Sequence, residues 1–251
     1  MSERILAIDA GNTRIKWGLH DGQHWLSHGA VDTVGINDSR ALADAIKANV
    51  VDRVVVSNVA GTSVATAIKD QIHFLRKPVS FIAAEAGRCG VVNRYENPAQ
   101  LGSDRWAALV AAHAAAFEAP CAQLVVMAGT ALTVDALTAD GQFLGGIIAP
   151  GLKLMHRALN RGTAQLPSDV GEYRTFPKNT ANAIAAGSVE ACAGAIERMY
   201  RHLSDHVGDA PYCIGSGGAM LVLAPHLPFP VSINDNLVLD GLLAIVRDSD
   251  S

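Results

Sequence analysis

The residues near the start of the chain combine a carboxylate, a glycine turn and a lysine. Asp9 ends a short apolar run, Ala10-Gly11-Asn12-Thr13 follows it, and Lys16 comes three residues later. A turn that contains Gly and Asn tolerates positive φ and exposes backbone N–H groups, which can hold phosphate oxygens. Asp9 could bind a divalent cation directly or through water, with Lys16 as a nearby positive charge. The pattern predicts a phosphate and metal site, although an ordinary hairpin turn would have the same sequence signature.

A second carboxylate stands at the start of an alanine-rich segment. Gly102-Ser103-Asp104-Arg105 comes directly before the predicted helix 107–118. One interpretation is that Ser103 or Asp104 only caps this helix. The other is that the Asp104 carboxylate faces a cleft and is held beside Arg105.

The elements that must position these residues begin with two strands. Ile5–Ile8 is a buried strand, and Ile15, Trp17 and Leu19 alternate with polar or small residues, as in a half-buried strand. Helical and strand patterns then alternate: a helix over 38–47, a strand over 52–59, a helix ending at Leu75 and a strand over 78–82. This order predicts an α/β domain with a mixed sheet.

The same arrangement recurs in the second half of the chain. Leu124–Asp135 again has an apolar run, an Ala-Gly turn and an alternating strand, and both copies are followed by Asp-Gly-Gln, at 21–23 and 140–142. We therefore predict a duplicated domain whose two hairpins face each other across a cleft. Further on, Ser216-Gly217-Gly218-Ala219 joins a strand to a helix start, which suits a nucleotide or simply a tight connection.

Composition limits the classes of function. The 251 residues are 49% hydrophobic, and a formal net charge of −4 argues against nucleic acid as the main partner. Four scattered cysteines without metal-ligand spacing fit buried thiols in a reducing cytosol. We see no signal peptide and no membrane span, so a cytoplasmic protein without membrane contact is expected.

Taken together in their order, these motifs resemble those of type III pantothenate kinases. The family belongs to the superfamily of sugar kinases, acetate kinase, heat-shock ATPases and actin. The similarity covers nearly the whole chain and depends on several short motifs: Asp9–Thr13 with Lys16, Tyr95, Gly102–Arg105, Gly129-Thr130-Ala131 with Thr133 and Asp135, Asn179-Thr180 and Ser216–Ala219.

The resemblance implies a duplicated actin-like (ribonuclease H-like) α/β fold. Two domains with mixed sheets, 1–117 and 118–251, would flank a nucleotide cleft. It also implies ATP-dependent phosphorylation of the primary hydroxyl of pantothenate, the first step toward coenzyme A, by a cytoplasmic homodimer that uses Mg²⁺ held near Asp9.

The resemblance assigns roles to individual residues as well. Asp104 matches the catalytic base. The residues that match ATP contacts are Asp9, Ala10, Gly11, Asn12, Thr13, Lys16, Thr130, Gly217 and Gly218. The residues that match substrate contacts are Tyr95, Gly102, Ser103, Arg105 and Thr180. Arg105 could pair either with Asp104 or with the carboxylate of the substrate.

One position departs from the family pattern. Family members commonly carry Asp where this chain has Met127, and that Asp is associated with a monovalent cation, K⁺ or NH₄⁺. A hard cation prefers oxygen ligands, which a thioether does not supply. The sequence therefore predicts only a weak dependence of activity on potassium or ammonium.

Two other functions fit parts of the sequence. Another small-molecule kinase of the same superfamily would share the hairpins but not the set formed by Tyr95 and 102–105. A nucleotide-binding regulatory accessory factor would have lost its chemistry, which the presence of Asp9, Asp104 and Thr130 argues against.

Overall fold

The protein divides into two compact units. The computed structural model describes residues 3–47, 49–116, 119–162 and 171–248. One unit contains residues 1–115 and 236–251, and the other contains residues 116–235. The boundary predicted from the sequence, between 117 and 118, lies outside the described residues. The last helix, which that prediction assigned to the second domain, groups by its contacts with the first unit.

The first unit contains seven strands and four helices within the part of the chain that is described. Its elements up to residue 115 are β1 (Ile5–Ala10), β2 (Arg14–His20), β3 (Trp25–Asp32), α1 (Ala41–Ile46), β4 (Arg53–Asn58), α2 (Thr62–Ile72), β5 (Val79–Phe81), β6 (Gly87–Arg88), β7 (Val91–Asn93) and α3 (Ser103–Ala115). Short 3₁₀ helices cover Ile36–Asp38, His73–Leu75 and Pro98–Gln100.

The second unit follows, and the chain then returns to the first. The second unit contains β8 (Gln123–Ala128), β9 (Ala131–Leu137), β10 (Gln142–Pro150), α4 (Leu152–Gly162), α5 (Thr180–Val207), β11 (Tyr212–Ser216), α6 (Met220–Leu223), a 3₁₀ helix (Ala224–His226) and β12 (Val231–Ile233). The final helix, α7 (Leu237–Asp248), completes the first unit.

Five strands of the first unit form one mixed sheet with helices on both faces. Their order is β3-β2-β1-β4-β5, in which β1, β2 and β3 are antiparallel and β4 and β5 run parallel to β1. Alternate residues of β1, such as Leu6 and Ile8, pack into a core with Ile68 of α2. Helices α3 and α7 contact the other side, so β1 is buried on both faces, as its uninterrupted apolar run predicts.

The second unit repeats this topology. Its strands are ordered β10-β9-β8-β11-β12, with β8, β9 and β10 antiparallel and β11 and β12 parallel to β8. On one face of this sheet, Val126 and Val134 pack against Ile196 of α5. The duplication predicted from the two similar hairpins is therefore confirmed as a repeat of strand order and direction.

The turns that connect these strands have the predicted chemistry. Gly22 and Gly141, the central residues of the two Asp-Gly-Gln segments, have φ values of 99° and 81°. Asp21 Oδ1 accepts hydrogen bonds from the amides of Gln23 and His24, which fixes the first of these turns.

The short β6–β7 hairpin has no counterpart in the sequence prediction. Its two strands contain only two and three residues and are joined through Cys89 and Gly90, both at positive φ. So short a segment shows no period-2 pattern.

Among the described helices none is both long and apolar enough to cross a membrane.

Candidate active site

The first hairpin places Asp9 at the carboxyl end of a central strand. Asp9 lies in register with Lys16 on β2 and with Ser57 on β4. The turn beyond it is closed by the Gly11 amide, which donates to the Arg14 carbonyl at 3.1 Å. Thr33 Oγ1 also donates to the Gly11 carbonyl at 2.7 Å. The strands and these bonds hold the turn in place while Asn12 and Thr13 stay exposed.

Asp9 interacts electrostatically with the second predicted carboxylate. The pKa of Asp9 is raised to about 7, mainly by burial and also by the charge of Asp104, while the charge of Lys16 lowers it. A charge that shifts the pKa of a carboxylate in this way must lie near it. The structure therefore brings together Asp9 and Asp104, which are 95 residues apart in the sequence.

Asp104 lies in the first turn of α3. Its Oδ1 accepts a hydrogen bond from the Arg105 amide at 2.8 Å. Burial raises the pKa of Asp104, while the Arg105 amide and guanidinium lower it. The carboxylate thus satisfies one of the amides that a helix start leaves without a partner, so the capping interpretation is correct in part. Its interaction with Asp9 is additional to that role.

Gly102 makes room for this carboxylate. A Cβ atom at position 102 would lie 2.6 Å from Asp104 Oδ1, far inside normal contact distance. Only glycine therefore leaves the carboxylate where it stands. The neighbouring Ser103 is buried, and its hydroxyl lies 2.9 Å from the Ser57 hydroxyl.

Arg105 is held beside Tyr95. The arginine is only 4% exposed, and its guanidinium carbon lies 5.8 Å from the centre of the Tyr95 ring, within cation–π range. The loop that carries Tyr95 is fixed by Asn93, whose Oδ1 accepts the Tyr95 amide at 3.1 Å and whose Nδ2 donates to the Pro98 carbonyl at 3.2 Å. All predicted site residues of the first unit therefore lie on β1, its turn, β2, the 93–100 loop and the start of α3.

In the second unit, the predicted nucleotide residues meet at the end of β8. Gly217 has a φ of 99°, and a Cβ there would collide with the backbone of Ala128. The Gly151 amide donates to the Thr130 carbonyl at 3.0 Å, and a Cβ at Gly151 would collide with the carbonyl oxygen of Gly129. These close backbone approaches explain the glycines and put the Thr130 turn beside Gly217 and Gly218.

Thr180 also belongs to the second unit. It is the first residue of α5 and is exposed. The preceding Asn179 caps the helix, because its Oδ1 accepts the Asn182 amide at 2.9 Å. Asn179-Thr180 is therefore a capped helix start.

Met127 occupies the position in the second unit that Asp9 occupies in the first. Met127 lies in register with Thr133 on β9 and Ser216 on β11, just as Asp9 lies in register with Lys16 and Ser57. The half-buried thioether of Met127 replaces a carboxylate there. The Thr133 hydroxyl is buried and has no hydrogen-bond partner among the residues that the structure describes.

The first-unit residues fit a magnesium ion that arrives with a nucleotide. No group of three or more His, Cys, Asp or Glu side chains suited to a metal exists within the described ranges. Mg²⁺ commonly uses one or two protein carboxylates and takes its other ligands from phosphate and water. Burial and the charge of Asp104 disfavour the ionised form of Asp9 and raise its pKa. A cation bound nearby would favour the ionised form and lower that pKa.

A groove that contains none of the predicted site residues lies elsewhere on the first unit. It has a volume of about 660 Å³ and lies between the Ile36–Asp38 turn and α2.

Comparison with known proteins identifies the family. The type III pantothenate kinase family matches residues 5–202. The type III pantothenate kinase of Nitrosospira multiformis is 47% identical over 99% of this chain and 93% of its own length. That of Aromatoleum aromaticum is 50% identical over 97% of this chain and 98% of its own.

Solved structures agree with the fold. A Baf family putative transcriptional activator from Campylobacter jejuni aligns with a TM-score of 0.61 at 20% identity, covering 98% of each chain. The ethanolamine utilization protein EutJ from Carboxydothermus hydrogenoformans aligns with a TM-score of 0.52 at 13% identity, over 99% of this chain and 90% of its own. At these identities the likeness shows the shared fold alone. From its motifs, its length and its relatives, the chain belongs to the type III pantothenate kinase family.

Proposed function

We propose that this protein transfers the γ-phosphoryl group of ATP to the primary hydroxyl of pantothenate. The product is 4'-phosphopantothenate, and the reaction is the first step of coenzyme A biosynthesis. Membership of the type III pantothenate kinase family supports this function. The structural observation that carries it is that the half-buried carboxylates of Asp9 and Asp104 lie near each other, with Arg105 next to Asp104 and Tyr95 next to Arg105.

Pantothenate would bind at the start of α3. Tyr95 and Arg105 provide an aromatic face and a buried positive charge, and Gly102 leaves room for the Asp104 carboxylate beside them. Thr180, at the start of α5 in the second unit, is proposed separately as a hydroxyl contact of the substrate. The guanidinium of Arg105 suits the carboxylate of pantothenate, because Arg forms bidentate pairs with carboxylates. Its effect on the pKa of Asp104 gives it a second role, that of keeping the base ionised.

Each unit offers a turn suited to part of ATP. In the first unit, the turn 10–13 with Asp9 and Lys16 would bind phosphate. In the second unit, Thr130 would bind phosphate and Gly217 and Gly218 would lie near the adenosine. Asp9 would hold Mg²⁺ directly or through water. When bound, the ion neutralises phosphate charge, which is most of what phosphoryl transfer requires of a site.

Asp104 would serve as the general base. As the pantothenate oxygen forms its bond to the γ-phosphorus, the bond from that phosphorus to the bridging oxygen breaks and its electron pair leaves with ADP. The hydroxyl proton passes to the Asp104 carboxylate. A pKa raised by burial makes this carboxylate a better proton acceptor than an exposed aspartate.

We also propose that the enzyme is a cytoplasmic homodimer. Its four cysteines, all in the described ranges, are free thiols, which is usual in a reducing compartment. Light scattering coupled to size exclusion tests the subunit count, because a mass near 26.3 kDa would mean a monomer.

The decisive experiment measures ADP release by the purified protein with Mg²⁺ and ATP, with and without pantothenate. We expect release that depends on pantothenate, together with 4'-phosphopantothenate detected by mass spectrometry. A panel of sugars, acetate and short hydroxy acids is the control. Phosphorylation of one of these instead of pantothenate would indicate another small-molecule kinase, and no turnover despite ATP binding would indicate a regulatory protein.

A further inference from the structure

Ser57 is a fully buried polar residue in the middle of the first unit. It lies on β4 with no exposed surface, although the strand is otherwise apolar at Val54, Val55 and Val56. A hydroxyl in such a place requires a hydrogen-bond partner. Its partner is Ser103, whose hydroxyl oxygen lies 2.9 Å away.

The strand register connects Ser57 to Asp9. The two residues are paired in the parallel ladder between β1 and β4, and paired residues point to the same face of a sheet. Val54 and Val56 belong to the core that α2 covers, so Ser57 points to the opposite face, where α3 packs. Ser57 therefore stands on the sheet beside one site carboxylate and is bonded to the helix turn that carries the other.

We propose that Ser57 is a positioning residue for the phosphoryl-transfer site, acting through Ser103 to fix Asp104 relative to Asp9. This inference depends on the proposed function, because it assumes that Asp104 is the base. Ser103 is then an anchor whose hydroxyl is engaged inside the protein. Its predicted role as a substrate contact is replaced by this one.

The physical reason is the short path from the bond to the base. Ser103 is the first residue of α3 and Asp104 is the next, so a shift of Ser103 moves the Asp104 carboxylate directly. The carboxylate is already confined on one side by Gly102, where even a methyl group would not fit. Misplacement of a catalytic group by about 1 Å can lower a rate by about 10²-fold.

The test is a double-mutant cycle with a matched control. Ser57→Ala and Ser103→Ala each remove one side of the bond, and the double variant removes both. Ser188→Ala removes another buried serine, on α5, whose hydroxyl donates to the Ile184 carbonyl at 2.9 Å. Each variant is assayed for kcat and KM with ATP and pantothenate, and its unfolding midpoint is measured in urea.

We expect kcat to fall by about 10-fold or more in Ser57→Ala, Ser103→Ala and the double variant alike. KM for ATP should stay within about twofold of the parent value, because the lost interaction acts on the chemical step. Equal losses in single and double variants mean that the two hydroxyls act as one unit. Ser188→Ala should lose a similar amount of stability but keep its kcat.

Other results would overturn the proposal. Unchanged kcat in Ser57→Ala would reject it, as would a kcat loss in Ser188→Ala that follows the stability loss. Additive effects, with pantothenate KM raised only in Ser103→Ala, would make Ser103 a substrate contact after all. If Ser57→Ala does not fold, Ser103→Ala removes the same bond and decides the question. A parent protein without pantothenate-dependent turnover would instead overturn the proposed function itself.

Discussion

At the scale of single residues, the site depends on two carboxylates whose surroundings differ. Asp9 is next to Lys16 and an open turn, whereas Asp104 is at a helix start with Arg105. Burial is the largest cause that raises the pKa of both carboxylates; the Asp104 charge raises that of Asp9 further, whereas the Arg105 amide and guanidinium lower that of Asp104. This difference suits a metal-binding role for the first and a proton-accepting role for the second.

Asp104→Asn should lower kcat by about 10²-fold or more, because an amide is a poor proton acceptor. ATP affinity and the urea unfolding midpoint should change little. The measurement is steady-state ADP release with pantothenate saturating. Asp44→Asn, which removes an exposed carboxylate paired with Lys47, is the control and should keep full activity. Turnover of Asp104→Asn within a few-fold of the parent would leave Asp104 as a helix cap only.

Asp9→Asn should raise the Mg²⁺ concentration needed for half-maximal activity, because it removes the carboxylate nearest the phosphate turn. The measurement is a Mg²⁺ titration at fixed ATP and pantothenate. Lys69→Gln on α2, which lies over the Phe81 ring at 5.0 Å, is a control for loss of a charge elsewhere in the same unit. An unchanged magnesium dependence with normal turnover would place the metal elsewhere.

At the scale of elements, the β2–β3 turn is attached to α7 through a small polar cluster. Trp25 Nε1 donates to Asp240 Oδ1 at 2.9 Å, and Arg247 donates to the Gly22 carbonyl at 2.7 Å. His20 lies inside this cluster, with its Nδ1 accepting the Gly22 amide at 2.9 Å. Protonation of that nitrogen would break the bond and add a positive charge near Arg247.

The free energy of unfolding should therefore depend on the protonation state of His20. Burial lowers the pKa of His20, the charges of Arg247 and His24 lower it further, and those of Asp21 and Asp240 oppose them. The unfolded chain, with a pKa near 6.5, takes up the proton first as pH falls. The contribution of neutral His20 to the free energy of unfolding is thus fully present above pH 6.5 and is lost as pH falls below that value.

Urea unfolding between pH 8 and pH 5.5, in the parent and in His20→Gln, measures this contribution. The raised pKa of Asp9 acts with the opposite sign, adding stability as pH falls through 7, so only the difference between parent and variant isolates His20. That difference should shrink as pH falls. His73→Gln, on an exposed histidine, is the control. A constant difference would mean that His20 has the same pKa in the folded and unfolded states.

Much of this arrangement could be predicted from the sequence, because it is local. The hairpins show their strands by period-2 alternation and their turns by Gly, Asn and Asp. The pairing of Asp9 with Lys16 follows once the hairpin is recognised. Ser57 could not be found in this way, because the register between β1 and β4 and the hydrogen bond to Ser103 join distant segments. The packing of α7 in the first unit could not be predicted for the same reason, because it joins residues 237–248 to residues before 116.

At the scale of the whole molecule, the two halves share a topology but not a chemistry. Positions 9 and 127 are equivalent in strand order and register, yet one carries a carboxylate and the other a thioether. A hard cation gains little from sulfur, and an added carboxylate among buried groups would be costly without a partner. The second unit thus has the same strand arrangement around Met127 that the first has around Asp9, but it lacks the carboxylate charge.

Activity should accordingly depend only weakly on potassium or ammonium. The assay replaces sodium by potassium at constant ionic strength, with ATP and pantothenate saturating, and we expect a change of less than about twofold. Met127→Asp is the companion variant and should not create a strong dependence, because the other ligands must also be present. Large activation of the parent by potassium would show that other oxygen atoms build a cation site.

The position of α7 has a consequence for how the protein is made. Eight of its twelve residues are buried, and Gly241 packs so closely on the backbone of Ala107 in α3 that no side chain would fit between them. The ribosome produces this helix only after the entire second unit. The first unit is synthesised first, but α3 and β1 therefore stay partly uncovered until residues 237–248 emerge.

Nascent chains stalled with residue 235 as the last one outside the ribosome should be cleaved by protease within 1–115, and chains extended through α7 should resist cleavage. Equal resistance in both would mean that the first unit closes without its last helix.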